Sequence, residues 1–180
     1  RITTGIGGAE LEPDAVSRLL GVDLGERRIG LAVADGDGSP ARPLATLRRG
    51  RTLTDDTATL AGIVAANEVG ELVVGQPLEA SGAHGPQAEL TTSWAEAIAA
   101  ALALPLTLRD ERLSSHLAEE RLGPMKRGRS GGPPTRAQRE AYRARVDREA
   151  AAIILQDELD ARAAVQYPSP ARSQRTETSP

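Results

Sequence analysis

Two apolar runs, Arg18–Leu24 (RLLGVDL) and Ile29–Ala34 (IGLAVA), are joined by only four residues, Gly25-Glu26-Arg27-Arg28. So short a link cannot carry a crossover, so the runs must lie antiparallel as a hairpin. Asp35-Gly36-Asp37-Gly38 closes the second run. Ala41 to Leu47 reads as a third strand, and Pro43, which lacks an amide donor, confines it to a sheet edge. Further on, Thr54 to Asn67 has helical periodicity, with Leu60, Ile63 and Val64 on its apolar face and Thr54 or Asp55 as the cap. Glu71–Gly75 (ELVVG) is a short buried strand, Gln87 to Leu104 an Ala-rich helix, Pro105 to Arg109 another strand, Leu113 to Leu122 a short helix and Arg136 to Ala164 a long final helix. A meander feeding alternating helices and strands predicts an α/β fold, a mixed five-stranded sheet with helices on both faces.

The patterned region spans 18–164. Residues 1–17, without periodicity, are expected to form a flexible extension, and 165–180, rich in Ser, Pro, Thr and Arg, a disordered tail. With no Phe and one Trp the core must be aliphatic, and Trp94, in the Ala-rich helix, is expected to pack into it. The absence of Cys excludes disulfides, thiolate zinc sites and cysteine nucleophiles. No apolar run reaches membrane-spanning length and no signal-peptide pattern opens the chain, so the expected location is cytoplasmic with no membrane partner. A net charge of −3 means that any nucleic-acid surface must be a local patch.

Three carboxylates stand where an apolar pattern does not explain them. Asp23 sits in the first strand among Leu19, Leu20 and Val22, and Glu111 just past the end of the PLTLR strand. Asp147 lies inside the last helix, on the stripe of Ala150, Ala151 and Ile154 that should face the sheet. Turn capping explains a lone acid at a strand end, but it does not explain Asp147. Clustered carboxylates repel unless a cation joins them, and hard oxygen donors suit Mg²⁺ or Mn²⁺. Two such ions would clamp the attacking and leaving oxygens of a phosphodiester. His84 and His116 have no partner pattern and are expected at the surface. Gly75 to Gly85 serves equally as a phosphate-cradling loop or as a strand-to-helix turn.

These residues fall in four ordered motifs. Gly21-Val22-Asp23-Leu24-Gly25-Glu26-Arg27-Arg28-Ile29-Gly30-Leu31-Ala32-Val33-Ala34-Asp35, Val73-Val74-Gly75-Gln76-Pro77-Leu78 with Gly82 and Gly85-Pro86-Gln87, Asp110-Glu111-Arg112-Leu113-Ser114-Ser115, and Asp147-Arg148-Glu149-Ala150-Ala151-Ala152-Ile153-Ile154-Leu155-Gln156 together resemble the YqgF/RuvX family. The resemblance implies an RNase H-like fold and a nuclease, with Asp23, Glu111 and Asp147 as catalytic, metal-binding carboxylates. It also implies action at the 5′ end of the pre-16S rRNA, within ribosomal precursor particles, with a Holliday junction in DNA as the alternative substrate. Ser114-Ser115 stands where the family commonly has Thr. Asp35 and Asp110 are candidates for supporting the site from behind.

Arg121 to Arg148 holds nine basic residues against two acidic ones. Beside such a site, Arg28, Arg112, Lys126, Arg127, Arg129, Arg136, Arg139 and Arg143 are the candidate nucleic-acid-binding residues. With only Tyr142 available to stack on a base, backbone or shape recognition is expected. Two readings compete. An actin-like or sugar-kinase phosphate-binding domain needs a second Asp-Gly loop and more chain, and a non-catalytic RNA-binding module has no need for all three carboxylates.

Overall fold

The computed structural model describes residues 17–79, 81–125 and 132–166. Most of the expected N-terminal extension and C-terminal tail therefore lies outside the described residues. Strands β1 (Arg18–Leu24) and β2 (Arg28–Ala34) pair antiparallel, from Leu19 opposite Ala34 to Leu24 opposite Ile29. Strand β3 (Arg42–Arg48) adds to β2 as an edge strand, and its register slips where Pro43 stands opposite Ala32. A residue with no amide hydrogen fits best at such an irregularity. Strands β4 (Val69–Gln76) and β5 (Leu106–Asp110) extend the other side, both parallel to β1. The order β3-β2-β1-β4-β5, three antiparallel strands followed by two parallel ones, is the RNase H-like arrangement that the resemblance implies.

Alternation along β1 sorts the core into two layers. Leu20, Val22 and Leu24 pack with helices α1 (Leu53–Asn67) and α2 (Pro86–Leu102), in a cluster that includes Leu60, Trp94 and Ile98. Leu19 and Val73 face the other way, onto Ala151, Ile154 and Leu155 of α4 (Arg136–Gln166). Helix α3 (Ser114–Leu122) lies on α4 through Ala118, Val146, Ala150 and Ile153. Val165 and Gln166, expected to begin the tail, belong to the last turn of α4.

The cap of α1 is Thr52, earlier than expected. Its hydroxyl accepts from the Asp55 amide at 3.2 Å while the Asp55 carboxylate accepts from the Thr52 amide at 3.0 Å. This reciprocal pair satisfies two amides that the helix leaves unpaired and makes Asp55 the third helical residue, not the cap. At the other end of the domain, Arg162 of α4 pairs with Glu71 of β4 and with Glu158, and Arg109 of β5 reaches Glu158 at 3.5 Å. Burial of Glu158 is tolerable because two guanidiniums meet it.

Three glycines let α4 lie close on the sheet. A Cβ on Gly21 would fall 2.7 Å from the carbonyl oxygen of Ala151, and one on Gly30 would fall 2.0 Å from that of Asp147. One on Gly75 would lie 2.1 Å from Glu111 Oε2 and 2.6 Å from Ile154 Cδ1. Glycine is needed in these strands for approach, not for an unusual φ.

Candidate active site

Asp23 is the next residue along β1 on the face of Leu19 and Gly21, so it points towards α4. Its cross-strand partner is Gly30, the residue on which the backbone of Asp147 rests. On the other side Val22 pairs with Val74, which places Asp23 beside Gly75 at the mouth of the parallel strands. Gly75 pairs with Arg109 and Gln76 with Asp110, so Glu111 leaves β5 at the same level. The Glu111 amide donates to the Gln76 carbonyl at 3.2 Å, and its own carbonyl accepts from the amide and the hydroxyl of Ser114 at 2.9 Å each. The start of α3 thus fixes the Glu111 backbone, and the missing side chain of Gly75 gives its carboxylate room.

The three carboxylates expected from the sequence therefore gather at one end of the sheet. Burial and then the charge of Asp147 push Asp23 up to about 7, against the opposing pull of Arg28. Burial, then Asp23 and Asp110, push Glu111 up to about 8. Oxygen Oε2 of Glu111 is buried with no hydrogen-bond partner among the described residues. Asp147 is held differently, since Arg28 Nε donates to Oδ2 and a terminal nitrogen of Arg28 lies 3.5 Å from Oδ1.

Among the described residues no set of three acidic or imidazole groups stands ready-formed around an ion position. The donor chemistry nevertheless suits a hard divalent cation. A buried carboxylate oxygen without a partner among the described residues and two carboxyls made weak acids by burial and by neighbouring carboxylates are what such a cation relieves. Asp147 would have to share itself between the cation and Arg28.

A pH dependence follows. Both carboxyls titrate higher in the folded chain than their ordinary values of 3.8 and 4.5, so the folded state holds more protons between about pH 4 and pH 8. Stability is then greatest below the ordinary values and is lost as pH rises through the folded ones. In EDTA the melting temperature should fall by roughly 10 °C between pH 5 and pH 8.5, and Mn²⁺ or Mg²⁺ should restore part of it at the upper end. A flat profile in EDTA would show that the carboxyls are not strained as placed.

The other expected site residues divide. Asp110 lies next to the cluster but is tied to Arg112, whose Nε lies 2.8 Å from Oδ2. Asp35 sits at the far end of the hairpin, paired with Arg18 at 2.7 Å and Arg42 at 3.5 Å, so it cannot support the carboxylates from there. Arg136 pairs with Glu140 at 2.9 Å, Arg139 is exposed near Pro134, and Arg143 is exposed on α4. Lys126, Arg127 and Arg129 lie outside the described residues. Tyr142 is not presented for stacking, because its hydroxyl donates to the Gly123 carbonyl at 2.9 Å and its ring packs in the α3–α4 cluster. His84 and His116 are exposed, and Trp94 is in the core with its Nε1 donating to Asp56 at 3.0 Å. Gly30 and Gly75 lie in the motifs quoted above, but their part in bringing α4 and Glu111 close to the sheet was not anticipated, although a glycine inside a strand pattern is itself a signal of close approach.

A family model described as RuvX: Holliday junction resolvase matches residues 17–161. A relative from Anaeromyxobacter dehalogenans named "Putative pre-16S rRNA nuclease" is 48% identical over 146 residues, covering 81% of this chain and 98% of its own. A relative of the same name from Chloroflexus aurantiacus is 39% identical over 144 residues, covering 80% and 87%. Among solved structures, RuvC of Thermus thermophilus aligns over 82% of this chain and 96% of its own at a TM-score of 0.47 and 14% identity.

Proposed function

The chain belongs to the RuvX family, and from that premise we propose that it is a divalent-metal-dependent endonuclease that hydrolyses phosphodiester bonds and matures the 5′ end of pre-16S rRNA. The observation that carries this reading is the convergence of Asp23, Glu111 and Asp147 from three separate elements, with Glu111 Oε2 buried and unpartnered among the described residues. Asp23, Glu111 and Asp147 would hold Mg²⁺ or Mn²⁺, which when bound supplies Lewis acidity for the attacking water and the departing oxygen. The rigid central strand orients Asp23, and the Ser114 contacts keep Glu111 at the mouth of β4 and β5. Arg28 holds the Asp147 carboxylate towards the sheet. On this reading the nuclease domain spans 18–164, and pre-rRNA within ribosomal precursor particles is its favoured partner. No helix among the described residues is long and apolar enough to cross a membrane.

The second reading is a Holliday junction resolvase, which the description of the matched family model favours. Both substrates offer the same phosphodiester, so one experiment separates them. A 5′ pre-16S rRNA fragment and a four-way DNA junction are incubated in parallel with Mg²⁺ or Mn²⁺, with the Asp23→Asn variant as control. Metal-dependent cutting of the RNA by the parent alone is the expected result. Cutting of the junction alone would select the resolvase reading, and no cutting of either by folded protein would overturn both.

A further inference from the structure

A groove of about 1130 Å³ opens beside the carboxylates, on the side of the β3 edge. Its floor carries Arg28 and Arg48, which stand directly opposite one another in the antiparallel β2–β3 pair. Like charges so placed repel; Asp147 pairs with Arg28 and the Glu140 carboxylate feels both, which leaves Arg48 without an ion pair of its own among the described residues. Arg27 in the hairpin turn, Arg51 in the loop after β3, and Arg136 and Arg143 of α4 also line it. Of the carboxylates among the described residues, only Glu26 and Glu140 line it. Arg27, Arg48, Arg51 and Arg143 have no carboxylate within 4.0 Å among the described residues, in a chain whose net charge is −3.

The loop that presents Arg51 is built, not loose. The Gly50 amide donates to Asp56 Oδ1 at 2.7 Å, and buried Asp56 is itself held by Trp94 Nε1 at 3.0 Å. Arg49 lies 3.6 Å from the same carboxylate. Arg28 joins the groove to the catalytic candidates, because it lines the one and donates to Asp147 in the other.

We propose that this arginine groove is the track along which the phosphodiester backbone of the substrate strand runs into the carboxylate centre, with Arg48 and Arg51 as phosphate contacts. Guanidinium forks match phosphate oxygens, and a lining with no aromatic side chain holds a backbone without stacking bases. An edge strand also carries basic residues to discourage pairing with other chains. That role does not call for Arg136 and Arg143 on the facing helix. The inference rests on the nuclease reading for its substrate, and the test keeps the two apart.

Binding of the full chain to a labelled RNA hairpin with a single-stranded flank, and to a labelled four-way DNA junction, is followed by fluorescence anisotropy in EDTA over a range of salt. Arg48→Gln/Arg51→Gln, two exposed positions, should raise Kd by about tenfold or more and flatten the log Kd against log salt slope by about 2. Arg42→Gln, on the same edge strand but at its far end, should change neither. Equal loss on both polymers identifies the backbone as the contact, and loss on one assigns the track to that polymer. An unchanged slope in the double variant, or equal loss in Arg42→Gln, overturns the groove even if the parent cleaves. A parent that binds through Arg48 and Arg51 but cuts neither polymer sinks the nuclease reading and leaves the groove standing.

Discussion

Asp23→Asn is expected to lower single-turnover cleavage by about 10³-fold or more while making the metal-free protein more stable at pH 8. The two effects have one cause. A carboxylate facing α4 beside Asp147 and Glu111 is poorly solvated, so burial and Asp147 push its pKa up to about 7. Above that pH the charge is carried at a cost to folding, and a divalent cation is the partner that makes it tolerable. Asparagine has nearly the same shape and no charge, so it removes the cost together with the ligand. The stability gain should be on the order of 2 kcal/mol at pH 8 and vanish towards about pH 3, below the ordinary Asp value of 3.8, where the parent carboxyl is protonated in both folded and unfolded chains. Thermal melts in EDTA at the two pH values, with a cleavage assay alongside, provide the check. Activity within tenfold of the parent would remove Asp23 from the catalytic set. Lost activity with no gain at pH 8 would mean that the carboxyl is not strained.

Gly30→Ala should be among the most destabilising single-methyl additions in this chain. The new Cβ would meet the Asp147 carbonyl oxygen at 2.0 Å, its carbon at 2.4 Å and the Arg148 amide nitrogen at 3.0 Å, all of them backbone atoms of α4. No rotamer change relieves such a clash, so the helix itself must move away from β2. The expected loss is about 3 kcal/mol, at the upper end for overpacking. Because the shift carries Asp147 away from Asp23, cleavage should fall by about 10²-fold even at temperatures where the variant is folded. Gly62→Ala, on an exposed turn of α1 with nothing within 4 Å of the added carbon, should instead stabilise by roughly 0.5–1 kcal/mol. Denaturant melts of both variants test the pair. Equal effects at the two positions would mean that α4 does not lie as close on the sheet as described. Gly75→Ala separates packing from chemistry, since its Cβ meets mainly the movable ends of Glu111 and Ile154. It should cost less stability than Gly30→Ala and still displace the Glu111 carboxylate.

The hairpin, the edge placement of the third strand and the succession of helices were legible in the sequence, because each depends on neighbours in the chain. A four-residue link permits only antiparallel return, Pro43 cannot serve inside a sheet, and the period of apolar residues assigns the faces of β1 and α4. The same local logic marked Asp23, Glu111 and Asp147 as charges at the border of apolar surfaces. The cap of α1 was misplaced for an equally local reason, since Thr52, Thr54 and Asp55 all have capping side chains and only the backbone conformation chooses among them.

What only the tertiary structure decided is distance between elements far apart in sequence. Burial and neighbouring carboxylates, Asp147 beside Asp23 and both Asp23 and Asp110 beside Glu111, raise the pKa values of Asp23 and Glu111, and no single segment carries that information. Asp35 and Asp23 look alike as strand-end acids, yet strand direction sends them to opposite ends of the hairpin. Tyr142 looks available for stacking until α3 packs over it. The run Arg48-Arg49-Gly50-Arg51 becomes part of a basic groove only because α4 sets Arg136 and Arg143 across from it. Local pattern fixes which face a side chain takes, whereas its charge environment sums over every element packed nearby, and that sum exists only once the chain has folded.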